Sequence, residues 1–168
     1  EEIARLKGFQ ILRSDMIRIE VLKGKDIFDN RVASDPNNRK RVYEEMFKRA
    51  ENTLKTTHDG LILYATFFTQ ELRSRAAQLA ENAHRAFVIA ECVCTEERSL
   101  ERISKRTKEN YESNALTKEA YLNNKALFQN IDTADLKKNL KTLPIIYLTV
   151  DTEHDTPSDW KIKKIEKR

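Results

Sequence analysis

The most constraining feature of this chain is an alternation between short, continuously apolar runs and longer stretches with apolar residues at three- and four-residue spacing. The short runs are Phe9-Gln10-Ile11-Leu12, Leu61-Ile62-Leu63-Tyr64-Ala65, Phe87 through Cys94, and Ile145-Ile146-Tyr147-Leu148-Thr149-Val150. Runs of this length suit strands covered by helices on both faces. Between them, Met16, Ile17, Ile19, Val21 and Leu22 mark one helix that Gly24 stops. Residues 42, 43, 46, 47, 50 and 54 line one side of another over Lys40 to Lys55. Further helical patterns cover Gln70 to Asn82, a charged segment through Thr107, then 117–128 and 132–140. Asp29 to Arg39 reads as a loop, and Trp160 to Ile165 as either an edge strand or a final helix. Four such strands separated by helices predict an α/β fold with a parallel sheet and helices on both of its faces.

Composition bounds the rest. A hydrophobic fraction of 39% in 168 residues is too high for a disordered chain. No run approaches the ~20 apolar residues of a membrane span, so no membrane partner is expected. Lys and Arg number 31 against 27 Asp and Glu, a net charge of +4 that does not by itself announce a nucleic-acid binder. The basic stretches Arg39-Lys40-Arg41 and Lys161 to Arg168 read as solvated faces. Cys92 and Cys94 read as buried thiols on one face of a strand in a reducing interior. Glu1 to Leu6 is a charged helical pattern with no apolar leader region, so the expected location is cytoplasmic.

Ligands of open α/β sheets gather outside the carboxyl ends of the strands, and those ends are polar here. The first exits into Arg13-Ser14-Asp15-Met16-Ile17-Arg18, the second into Thr66-Phe67-Phe68-Thr69, the third into Thr95-Glu96-Glu97-Arg98 and the fourth into Asp151-Thr152. Asp15 reads either as a helix N-cap or as a functional carboxylate. In the functional reading Arg18 shares its helical face. A carboxylate able to accept a hydroxyl proton then stands beside a guanidinium able to hold a phosphate, a pairing that suits phosphoryl transfer to an alcohol. Arg98, Arg102 and Arg106 fall on one helical stripe, which is either a solvated charged face or a lid whose cations neutralise a phosphoryl group. His58, His84 and His154 sit at turns and helix ends with no nucleophile elbow, and zinc finds no clustered ligands.

Over roughly residues 1 to 151 these features resemble the P-loop kinases of the polynucleotide-kinase, gluconate-kinase and zeta-toxin type, also known as AAA-family ATPases. The carriers are Leu12 through Arg18, Leu61 through Phe67, Arg73, and Glu101-Arg102-Ile103-Ser104-Lys105-Arg106. The resemblance implies a three-layer P-loop NTPase fold over 1–151, with 152–168 as an extension of the same domain. It implies ATP and Mg2+ as cofactors, and a small-molecule or nucleic-acid hydroxyl as acceptor. It makes Asp15 the general base, Arg18 the clamp on substrate phosphate, Arg102 and Arg106 the lid cations on ATP phosphates, and Arg73 and Thr66 substrate contacts. The acceptor side falls in the loops 23–40 and 108–116.

The chain departs from the family pattern twice. Its three glycines, at 8, 24 and 60, do not form the family's Gly-x-x-x-x-Gly-Lys-[Ser/Thr] cradle. Glu1 to Gly8 looks like the later part of the helix that follows that cradle, so the resemblance implies that the first strand and P-loop precede residue 1. Tyr64 also stands where the family has an aspartate that assists magnesium or substrate. From these departures comes a second expectation, a catalytically degenerate module of the same fold that binds a protein or RNA partner.

Overall fold

In the computed structural model, residues 2–108 and 115–168 are described, and they divide into two compact units. One comprises residues 1–66 with 106–120, the other residues 67–105 with 121–168. Most of the expected segment Asn110 to Ala115 lies outside the described residues.

The first unit is built around a parallel strand pair and the long helix that connects its strands. Helix α1 (Glu2–Lys7) leads into strand β1 (Gln10–Arg13), which runs directly into α2 (Ser14–Val21). Two helices follow, α3 (Asn30–Ser34) and α4 (Pro36–Thr56), then strand β2 (Leu61–Tyr64). β1 and β2 pair in parallel, with Gln10 opposite Leu61 and Arg13 opposite Tyr64. Helix α4 buries the apolar stripe read from its spacing: Val42, Tyr43, Met46, Phe47 and Ala50 are all in the core, and Ile17 and Leu22 are buried with them. Gly60 is needed where β2 begins, because a Cβ there would fall 2.5 Å from the Phe9 ring.

The stretch expected to be a loop, Asp29 to Arg39, is helical over most of its length, and the reason lies in its capping residues. The Asp29 carboxylate accepts from the Arg31 amide at 2.9 Å and the Asp35 carboxylate from the Asn38 amide at 2.8 Å. Pro36 occupies the first turn of α4, where its missing N–H costs nothing. The Asn, Asp and Pro that read as loop formers are helix starters here.

The second unit begins with α5 (Gln70–Asn82), strand β3 (Phe87–Val93) and α6 (Glu96–Ser104). Then come α7 (Lys118–Leu127, the start of which belongs to the first unit), α8 (Thr133–Asn139), β4 (Ile145–Asp151), a short 3-10 turn (Pro157–Asp159) and β5 (Lys161–Lys167). β3 and β4 are parallel, and β5 closes the sheet as an antiparallel edge, which decides the open assignment of the tail. Ala77, Leu136, Leu140 and Ile145 form the core, with Phe87 and Ile89 packed against it. The α/β class and its parallel strands are those expected from the sequence. The ladders fall into two sheets, β1-β2 and β3-β4-β5, and no described strand joins β2 to β3.

The cysteines correct an expectation. Residues alternate faces along β3, so Phe87 and Ile89 pack on the core while Val88, Ala90 and Cys92 point the other way and are exposed. Cys92 is therefore an exposed thiol, and Cys94, half-buried, has its Sγ 3.1 Å from the Ser99 hydroxyl. Among the described residues no helix is long and apolar enough to cross a membrane.

Replacing Met46 by Ala is expected to cost about 2–5 kcal/mol, because the side chain is fully buried between helix and strands. The same change at Met16, which is exposed, should cost well under 1 kcal/mol. Urea unfolding of the two variants checks the contrast.

Candidate functional site

The site in the first unit is built at the carboxyl end of β1. Because the strand passes into α2 without an intervening loop, Arg13 is the N-cap residue and makes no side-chain cap bond. Asp15 then lies in the first turn of the helix, where the helix dipole favours a negative charge, and it is not the N-cap. Arg18 follows one turn later and is buried, only 7% exposed. Among the described residues its Nε and Nη1 have no hydrogen-bond partner, an arrangement that is costly for a guanidinium unless an anion is bound there.

Asp15 sits among cations. Burial pushes its carboxyl above the usual range, against the opposing pull of Arg18, Arg13 and Arg106. Two of the residues expected at the site, Asp15 and Arg18, lie one turn apart on α2, and the charge of Arg106 also acts on Asp15. Arg106 lies past the end of α6, and one of its Nη nitrogens donates to the Ala115 carbonyl at 3.3 Å. Arg13 carries no signal of its own in the sequence beyond its place at the strand exit. Its guanidinium lies 5.5 Å from the centre of the Tyr64 ring, its register partner. Tyr64 is 57% exposed and serves as a platform for this arginine. Thr66 is exposed just beyond β2.

The other expected site residues belong to the second unit. Arg102 lies on α6, and its guanidinium holds the loop after β4: one Nη donates to the carbonyls of Thr152 at 2.6 Å and His154 at 3.0 Å, and Nε pairs with Asp155 at 3.2 Å. Arg98 does the same one turn earlier, bonding the Glu153 carbonyl at 2.9 Å and Asp155 at 2.8 Å. Arg106 is not on their stripe, because α6 ends at Ser104. Thr95, Glu97, Arg98, Glu101, Glu153 and His154 line an open groove of about 550 Å³ at the carboxyl ends of β3 and β4. Arg73, 3% exposed, donates to the carbonyls of Gln129 at 2.7 Å and Asn130 at 3.1 Å, and its guanidinium lies 4.7 Å from the centre of the Phe128 ring. The structure thus places Arg73 inside a loop scaffold.

A second residue that sequence reasoning misses is Arg39. It falls in a basic run that reads as solvated, yet it is half-buried at the start of α4, its Nε donating to the Ala33 carbonyl at 3.3 Å. Another member of that run is also tied down: Arg41 donates to the Val21 carbonyl at 3.1 Å. Only the tertiary packing of α4 on α2 reveals this, since the local sequence is uniformly basic.

The raised pKa of Asp15 has a stability consequence. In the window between the ordinary aspartate range and its raised native value, the folded chain binds more protons than the unfolded one, so stability falls as pH rises through that window. Asp15→Asn is expected to remove this slope and to be at least as stable as the parent at neutral pH. Urea midpoints across a pH series check it.

A family model described as an AAA domain matches residues 1–131 of the chain. No curated protein matches it. The matched span takes in β1 with Asp15 and Arg18, β2 with Tyr64, and α6 with Arg102. The chain belongs to this AAA-domain family, whose members are P-loop NTPase-like.

Proposed function

We propose that the intact protein is an ATP-dependent phosphotransferase that moves the γ-phosphoryl group of ATP to a hydroxyl of a small molecule or a nucleic-acid end. The observation that carries this reading is the Asp15–Arg18 pair: a partly desolvated carboxylate of raised pKa beside a buried guanidinium with two unbonded nitrogens. The hydroxyl oxygen bonds to the γ-phosphorus as the bond between that phosphorus and the bridging oxygen breaks, ADP leaves, and the hydroxyl proton passes to Asp15. A base of raised pKa takes that proton more readily than an ordinary aspartate. Arg18 holds an anionic group of the acceptor, and Arg106, beside Asp15, offsets charge on the transferring group.

These residues belong to the acceptor side. Gly8, Gly24 and Gly60 do not build a phosphate cradle, since Gly8 and Gly24 lie in separate turns and Gly60 serves the approach of Phe9. Among the described residues no group of three His, Cys, Asp or Glu could hold a metal ion, and Tyr64 brings no carboxylate. These residues therefore do not fit a dedicated magnesium site.

A second reading, a non-catalytic module of the same fold, is favoured by the exposed Tyr64 in the aspartate position. Phosphate transfer from labelled ATP to a polyol, a nucleoside and a hydroxyl-terminated oligonucleotide separates the two. Asp15→Asn should lower kcat on the accepted substrate by about a hundredfold or more. Arg18→Gln should act chiefly by raising the acceptor KM. Equal rates for parent and Asp15→Asn would sink the role given to Asp15.

A further inference from the structure

We infer that Tyr64 is a stacking platform for a nucleobase, so that the molecule bound beside Asp15 and Arg18 is a nucleotide, free or at a strand end, and not a polyol or sugar phosphate. Its role as acceptor rests on the phosphotransferase reading, whereas the stacking does not.

Tyr64 stands apart from the strand that carries it. Leu61, Ile62 and Leu63 are half-buried along β2, and Tyr64, at the carboxyl end, is exposed. It lies in register with Arg13, the last residue of β1, so the two side chains leave the same face of the strand pair. The Arg13 guanidinium lies 5.5 Å from the centre of the ring, within cation–π range. A tyrosine ring has only two torsions to fix, and this contact restrains them, so the ring is held in place before a ligand arrives. Adjacent strands run about 4.8 Å apart, and Asp15 follows Arg13 by two residues, which puts the backbones of Tyr64 and Asp15 at the same end of the pair.

Arg18 supplies an independent sign of a ligand. It is more than nine-tenths buried, and among the described residues its Nε and Nη1 are unbonded, a state that an anion relieves. From the strand ends into α2 the chain therefore offers an aromatic ring, then a carboxylate able to take a hydroxyl proton, then a guanidinium lacking its anion. A nucleotide presents matching groups in the same order: base, ribose hydroxyls, phosphate. Every base has a π-face that stacks on a ring, so the platform implies little choice among bases. A polyol brings only hydroxyls, whose desolvation against an aromatic ring goes uncompensated.

The test is calorimetric titration of the intact protein with adenosine monophosphate, cytidine monophosphate and ribose 5-phosphate, which share a phosphate and differ in the base. A saturating non-hydrolysable ATP analogue keeps any donor site filled. The parent should bind both nucleotides about tenfold more tightly than ribose 5-phosphate. Tyr64→Ala should bring both close to the affinity of ribose 5-phosphate and leave that ligand unchanged. Tyr64→Phe, which keeps the ring, should retain the preference, and Arg18→Gln should weaken all three ligands. A parent that binds nucleotides no better than ribose 5-phosphate, or a Tyr64→Ala variant that keeps the preference, overturns the inference. A short single-stranded oligonucleotide identifies the source: Tyr64-dependent binding tighter than that of the mononucleotides assigns a strand end, and binding no tighter assigns a free nucleotide. If the preference depends on Tyr64 while no acceptor is phosphorylated, the inference stands and the phosphotransferase reading fails. If Asp15-dependent transfer occurs with the same kcat/KM in the parent and Tyr64→Ala, the reverse holds.

Discussion

Burial of the α4 stripe is the constraint on which the first unit depends. Val42, Met46 and Ala50 are fully buried, and Tyr43 and Phe47 nearly so, against α2 and the β1-β2 pair. Each large apolar side chain among them contributes on the order of 1.5–3 kcal/mol of transfer free energy, enough to decide the position of a helix as short as α2. With α2 fixed, Asp15 and Arg18 are fixed too, because β1 runs into the helix with no loop to absorb movement. A carboxylate and a guanidinium held this way need no reorganisation when a ligand arrives.

The arginines show how one residue type is put to two uses. Arg73, Arg98 and Arg102 direct their donors to backbone carbonyls and carboxylates of the second unit, and the loops after Leu127 and after β4 take their course from these bonds. Arg18 leaves Nε and Nη1 without such partners, although it is nearly as buried as Arg73. A buried guanidinium with its carbonyls supplied is scaffold, whereas Arg18 keeps donors that, among the described residues, serve no such carbonyl. The number of arginines in a segment does not make this distinction; their hydrogen-bond partners do.

The two units differ in what they leave open. The β3-β4-β5 sheet packs one face on α5 and α8, while Val88, Cys92, Ile162 and Ile165 are exposed along it. β2 and β3 each present an unpaired ladder edge among the described strands, the kind of edge along which further strands pair. The exposure of Cys92, which the sequence reads as a buried thiol, follows from its place on the face of β3 turned away from the core.

Much of this was legible in the chain. The apolar runs located β1 to β4 and the three- and four-residue spacing located α4 and α5, because these signals are local and repeat with the period of the element that carries them; Ser14-Asp15 with Arg18 marked the candidate pair at the exit of β1. The helices inside Asp29 to Arg39 escape such a reading because Asp, Asn and Pro serve loops and helix starts alike, and only the cap bonds tell them apart. The end of α6 before Arg106 and the stacking of Arg13 on Tyr64 lie beyond its reach for a different reason. The sequence by itself determined the strands β1 to β4, the longer helices and which residues lead out of each of those strands. The tertiary structure decided which arginines are satisfied and which are left waiting, because a guanidinium finds its partners through space, from segments far apart in the chain.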